Sequence, residues 1–148
     1  MDIRQILCPV DFSDASAHAV DQAVELARWY GARMTALHVD TAVADYPDVP
    51  ALEPAERQRL QDRMTTFCQA ATAAGVAVDL RVVSGHPLAA ILDQAASLPA
   101  DLIVIGTHGV SGFQHLVLGS RLRRVGCEIF LTAPGFLCDG LPVLRPAG

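Results

Sequence analysis

Four apolar residues in a row, Leu102, Ile103, Val104 and Ile105, run without a polar interruption into Gly106. A strand with one wet face alternates apolar and polar side chains. An unbroken run of this kind belongs to a strand covered on both faces. Parallel strands with helices packed on each side of the sheet meet that condition, and the rest of the chain repeats the required alternation of elements.

Residues 3–10 (IRQILCPV) predict a first strand. Ser13 or Asp14 then caps a helix over 15–30, whose apolar residues Ala19, Val20, Ala23, Val24, Leu26, Ala27 and Tyr30 recur at helical spacing until Gly31 stops it. Residues 33–39 predict a second strand, and 40–52, with Pro47 and Pro50, a surface loop. A long polar-faced helix over 53–74 closes at Gly75, and 76–83 read as a third strand. Ser84-Gly85-His86-Pro87 turns into a short helix over 88–97, and the fourth strand is 102–106. Two segments compete for a fifth strand, 128–132 and 141–144. The order β-α-β-α-β-α-β predicts an α/β fold with a doubly wound parallel sheet.

Composition narrows the function. At 148 residues the chain is one domain, 1–148, and 51% apolar content supplies a core. A net charge of −5 disfavours nucleic acid and anionic membranes as partners. Every basic side chain is arginine. No P-loop lysine, Schiff-base lysine or Ser–Lys dyad is therefore available. Cys8, Cys68, Cys127 and Cys138 form no CxxC pair and no zinc spacing with histidine, which fits a reducing compartment. The first residues, MDIRQILCPVDFS, do not read as a signal peptide, and no apolar run reaches bilayer length. The expected location is the cytoplasm.

The chemistry concentrates where strands end. Ligands of open α/β sheets bind beyond the carboxyl ends of the strands, where strand order reverses. If the first and fourth strands are neighbours, Asp11 and the segment GTHGVSG share a crevice. Asp11 then accepts hydrogen bonds from a ribose or base, the backbone at Val39 pairs with an adenine edge, and Gly109, Gly119 and Ser120 donate to phosphate. Glycines let a backbone approach an anion closely, and a helix N-terminus offers unpaired N–H groups. The standard fingerprints GxxxxGK[ST] and GxGxxG are absent, so on spacing alone these glycines serve equally well as turns.

Other groups have plainer roles. His18 has no partner at a telling spacing, His38 is a satisfied strand residue, and His86 and Pro87 shape a helix entry. His108 and His115 sit among the glycines without an assigned task. Arg121, Arg123 and Arg124 either neutralise phosphate or form a solvated helix face. Asp11, Asp14 and Asp40 cap or end elements, and no metal site is expected. Ser120 lacks a GxSxG elbow and a His–Asp pair, so no catalytic residue is assigned.

Several segments together resemble the universal stress protein family, ATP-binding subgroup. They are ILCPVDFSDAS (6–16), ALHV (36–39), SGHP (84–87), ADLIVIGTHGVSG (100–112) and LGS (118–120). Gly106, Gly109, Gly119 and Ser120 stand at the family's spacing G-x2-G-x9-G-[S/T]. The resemblance implies five strands in the order 3-2-1-4-5, an adenine nucleotide alpha-hydrolase-like fold, and a homodimer. It implies bound ATP, with any Mg²⁺ held through the phosphates. Asp11 matches the acidic position near adenine and ribose, Val39 the position whose backbone reads adenine, and Gly106, Gly109, Gly119 and Ser120 the phosphate positions. Pro9, Val10, Thr107 and Arg121 complete the expected nucleotide set. The match covers 1–125; the tail, 126–148, keeps only fragments of the family pattern. The expectation is a nucleotide-binding stress-response module with at most weak ATP hydrolysis. The alternatives are a dimeric interaction module that binds no nucleotide and a slow ATPase.

Overall fold

The computed structural model describes residues 2–42, 48, 52–106 and 128–132. Five strands form one parallel sheet in the order β3-β2-β1-β4-β5, with β1 Gln5–Pro9, β2 Arg33–Asp40, β3 Val78–Ser84, β4 Leu102–Gly106 and β5 Glu128–Thr132. The expected strand order stands, and the fifth strand is the first of its two candidates. Helix α1 (Asp14–Tyr30) follows β1, α2 (Pro54–Phe67) and α3 (Gln69–Ala73) follow β2, and α4 (Pro87–Ser97) follows β3.

Helix α1 begins and ends as its residues dictate. Ser13 Oγ accepts the Ser16 N–H at 3.1 Å, which satisfies one of the orphan donors of the first turn. At the other end Gly31, with φ 65°, donates its N–H to Ala27 O from the left-handed region that a glycine enters freely.

The long helix expected over 53–74 is two helices. Cys68 leaves helical geometry at φ −98°, ψ 11° and separates α2 from α3. Just before the break, Thr65 and Thr66 turn their hydroxyls back onto Gln61 O and Asp62 O at 3.0 and 3.2 Å. Back-bonding of this kind bends helices, and two β-branched residues in succession weaken this one further. The kink brings the Cys68 side chain into the core that also holds Cys8. Burial pushes the Cys8 thiol far above the ordinary range, with the neighbouring Cys68 charge adding to it. Burial alone pushes Cys68 up to about 11. Two thiols held protonated are poor nucleophiles and poor metal ligands.

The sheet divides the core into two layers. Ile6, Cys8, Met34, Ala36, Leu102 and Val104 face α1, α2 and α3. Leu7, Leu37, Ile103 and Ile105 face Ile91 and Ala95 of α4. Alternate residues of one strand therefore serve opposite layers, and this is why β4 reads as a continuous apolar run: all five of its residues are buried.

The β1–β4 seam is bolted at its lower end. Asp101 Oδ2 accepts the N–H groups of Arg4 and Gln5 at 2.9 and 3.0 Å, and Asp101 returns its own N–H to Gln5 O at 2.9 Å.

Candidate functional site

Strand lengths create the site. β1 and β4 pair only at Ile6↔Leu102 and Leu7↔Ile103, although β4 continues to Gly106. On the other side, β1 pairs with β2 as far as Pro9↔Leu37, while β2 continues alongside β3 to Asp40↔Ser84. The central strand thus stops short of both neighbours. Strand order reverses there: β1 connects through α1 to β2 on one side, while β3 connects through α4, on the opposite face of the sheet, to β4 on the other, which is the switch point of a doubly wound fold.

The gap is a cleft of about 440 Å³ including its open mouth. Its lining comes from four places: Pro9, Val10, Asp11, Ser13 and Ser16 around the β1–α1 turn, Leu37, Val39 and Thr41 from the end of β2, Pro87 and Ile91 from α4, and Ile105 and Gly106 from β4. The apolar part suits a flat aromatic ring. The polar part is one carboxylate and three hydroxyls, a set that suits the hydroxyls of a sugar.

Asp11 is held within its own turn. Its Oδ1 accepts from the Ser13 N–H at 3.0 Å and from the Ser13 hydroxyl. The Asp11 N–H donates to Ser16 Oγ at 3.3 Å, and that hydroxyl donates to Ser13 O at 3.1 Å. The local pattern Asp-x-Ser-x-x-Ser makes this network, with Ser13 serving both as helix cap and as carboxylate partner. Val10 marks the end of the ladder, donating its N–H to Leu37 O at 2.8 Å. Its carbonyl accepts from His38 Nδ1 at 2.8 Å. A carbonyl can only accept, so the histidine carries its proton on Nδ1. His38 is the satisfied strand histidine expected of it.

Gly106 has a packing reason to be glycine. A Cβ built there lies 2.6 Å from Ala15 O and 2.7 Å from Ala15 C, both backbone atoms of the first turn of α1. Only a residue without a side chain lets β4 pass this close to the helix. The contact sets the distance between the end of β4 and the β1–α1 turn, and hence the width of the cleft.

Of the expected nucleotide residues, Pro9, Val10, Asp11, Val39 and Gly106 converge on this cleft. Thr107, Gly109, Gly119, Ser120 and Arg121 lie outside the described residues, as do His108, His115, Arg123 and Arg124. The lining also includes residues that pattern reading passed over: Ser13, Ser16, Leu37, Thr41, Ile91 and Ile105. His86 takes the N-cap position of α4 without a side-chain bond, and Pro87 follows at the first helical position. Among the described residues, no group of three or more His, Cys, Asp or Glu side chains is arranged to hold a metal ion, and no helix is long and apolar enough to cross a membrane.

A family model described as the universal stress protein family matches residues 2–126. A relative from Thermus aquaticus, a universal stress protein in a QAH/OAS sulfhydrylase 3′ region, is 35% identical over 126 residues, covering 84% of this chain and 92% of its own. Among solved structures, the universal stress protein UspA from Lactobacillus plantarum superposes with a TM-score of 0.65 at 27% identity, covering 88% of this chain and 98% of that one. The universal stress protein from Archaeoglobus fulgidus in complex with dAMP shares the fold, with a TM-score of 0.61 at 20% identity and coverage of 88% and 98%.

Proposed function

The chain belongs to the universal stress protein family, and on that footing we propose that it binds an adenine nucleotide, ATP foremost, in the cleft between β1 and β4. The observation that carries this reading is the premature end of β1 between two longer neighbours, with Asp11 fixed at the mouth of the gap. A fold neighbour binds dAMP, a ligand of the same chemical class.

The donor set fits the nucleoside half of such a ligand. Leu37, Val39, Ile91 and Ile105 offer an apolar slot for the base, and Asp11 accepts from ribose hydroxyls. β2 runs past the last β1 pair, which supports the reading in which the backbone of Val39 meets the edge of the base. The phosphates fall to Gly106, Thr107, Gly109, Gly119, Ser120 and Arg121, with any Mg²⁺ carried by the phosphates themselves.

Occupancy, and not turnover, is the output in this reading. The sequence contains no lysine, and the described lining contains no cation and no general base apart from the already engaged Asp11. Phosphoryl transfer depends on positioned positive charge, so hydrolysis is slow at best. The protein works as a cytoplasmic homodimer that reports nucleotide status during stress.

The test is calorimetric titration of nucleotide-free protein with ATP and AMP. Saturable binding below millimolar concentration is expected. No heat at millimolar ATP from a folded sample overturns the reading.

A further inference from the structure

We propose that Phe12 is a positioning residue for the cleft. Gripped on the opposite face of the sheet, its side chain holds the β1–α1 turn in the conformation that presents Asp11 to a ligand. The inference rests on the reading of the cleft as a nucleotide site.

Among the described residues, Phe12 is the single non-glycine residue with positive φ, at 62°. A bulky side chain in the left-handed region is strained, and such a conformation persists only where the surroundings impose it. Here they do. The Phe12 ring lies 4.6 Å from the His38 ring and meets Phe67 edge-on at 5.5 Å. The Arg63 guanidinium sits over it, 4.0 Å from the ring centre. The Phe67 and Arg63 contacts are of the kind in which an aromatic quadrupole favours its partner.

The placement of this stack gives it a purpose. Phe12 packs against the α1/α2 layer and takes no part in lining the cleft. Its neighbour Asp11 does line the cleft. The two residues flanking Asp11 are thus pinned from behind: Phe12 by the ring stack, and Val10 through its carbonyl by the same His38. With Ser13 and Ser16 holding the Asp11 carboxylate and amide, the ligand meets a turn that needs no reordering. Affinity otherwise lost to ordering the turn is retained. The stack also ties the cleft to α2, which carries Arg63 and Phe67.

The experiment combines ATP titration with amide hydrogen exchange on the full chain. In Phe12→Ala the strain remains without the grip. ATP affinity falls about tenfold, and the Ser13, Ser16 and Ala17 amides exchange about tenfold faster, while the amides of Ala90 in α4 and Leu98 at its C-cap keep their rates. Phe12→Gly recovers part of the affinity, because glycine enters the left-handed region without cost. A merely structural loss would not be rescued by removing the side chain altogether. Arg63→Met, which removes the charge above the ring, gives a smaller change of about threefold.

Wild-type affinity and turn exchange in Phe12→Ala overturn the proposal. If that variant does not fold, unchanged affinity and exchange in both Phe12→Gly and Arg63→Met overturn it. Should the wild-type protein bind no ATP, the nucleotide reading falls alone. The exchange arm then decides: faster exchange confined to the turn supports the positioning role, and unchanged exchange removes it.

Discussion

The two ends of the β1–β4 seam carry an acid each and use it in opposite ways. At the lower end Asp101 spends its Oδ2 on two backbone amides of the neighbouring strand, and the strands close in register directly above it. At the upper end the strands part after Leu7 and Ile103, and Asp11 turns its carboxylate toward its own helix cap and the open cleft. One seam therefore shows both what closes a parallel pair and what is left when closure stops. Asp101 ties two strands together, while Asp11 ties down its own turn and lines the cleft.

The difference can be broken by substitution, and the largest effect belongs to the close contact at the upper end, where Gly106 meets Ala15. Gly106→Ala places a methyl against the backbone of Ala15, so α1 and β4 must separate. Chemical denaturation is expected to show a loss of about 3 kcal/mol, with the cleft disturbed as well. Asp101→Ala comes next. Removing a carboxylate that accepts two amides costs about 2 kcal/mol by the same measurement, yet nucleotide affinity should stay within twofold (about 0.4 kcal/mol) of wild type. Asp11→Ala reverses the pattern. Stability falls by only about 1 kcal/mol through the weakened turn, while ATP affinity falls about tenfold or more. Equal losses of stability and affinity in both aspartate variants would erase the distinction between the ends.

The smallest effect lies between the ends, at Cys8 and its neighbour Cys68. Their folded thiols titrate above the unfolded ones, so the unfolded chain loses protons first as pH rises. This contribution to stability is complete below the ordinary thiol value of 9.0 and is lost progressively as pH climbs toward about 11. Denaturation midpoints should fall with pH across that window, and the slope should be shallower in Cys68→Ala. An identical slope in the variant would show that the thiol does not contribute.

How much of this was readable beforehand depends on the range of the interaction involved. Ser13 as a cap, Gly31 as a stop and the buried β4 run follow from local chemistry, and each stands in the structure. The strand pattern and the rule that ligands sit beyond strand carboxyl ends point to Asp11 and Val39, and the cleft contains both. Ser16, Thr41 and Ile91 were not legible as lining, because they meet only when α1, the end of β2 and α4 converge. Gly106 was visible as a loop glycine, but the reason for it, the backbone of Ala15 ninety-one positions earlier, is purely tertiary. Phe12 gave no signal. Nothing in DFSDAS marks a left-handed phenylalanine, since the partners that hold it there come from β2 and α2. The break at Cys68 has a local cause in Thr65 and Thr66, and it is masked because helical apolar spacing continues through it.

The clamp at the foot of the seam also sets an order of events during synthesis. Asp101 lies 97 and 96 residues after the amides of Arg4 and Gln5 that it accepts. β1 therefore emerges early and can pair with β2, but its other edge stays bare until two-thirds of the chain has left the ribosome. An unpaired central strand is an edge that other chains can join. For this protein the interval between making β1 and making β4 is a window in which the nascent chain carries an open edge on its central strand, and a single late carboxylate helps to close it.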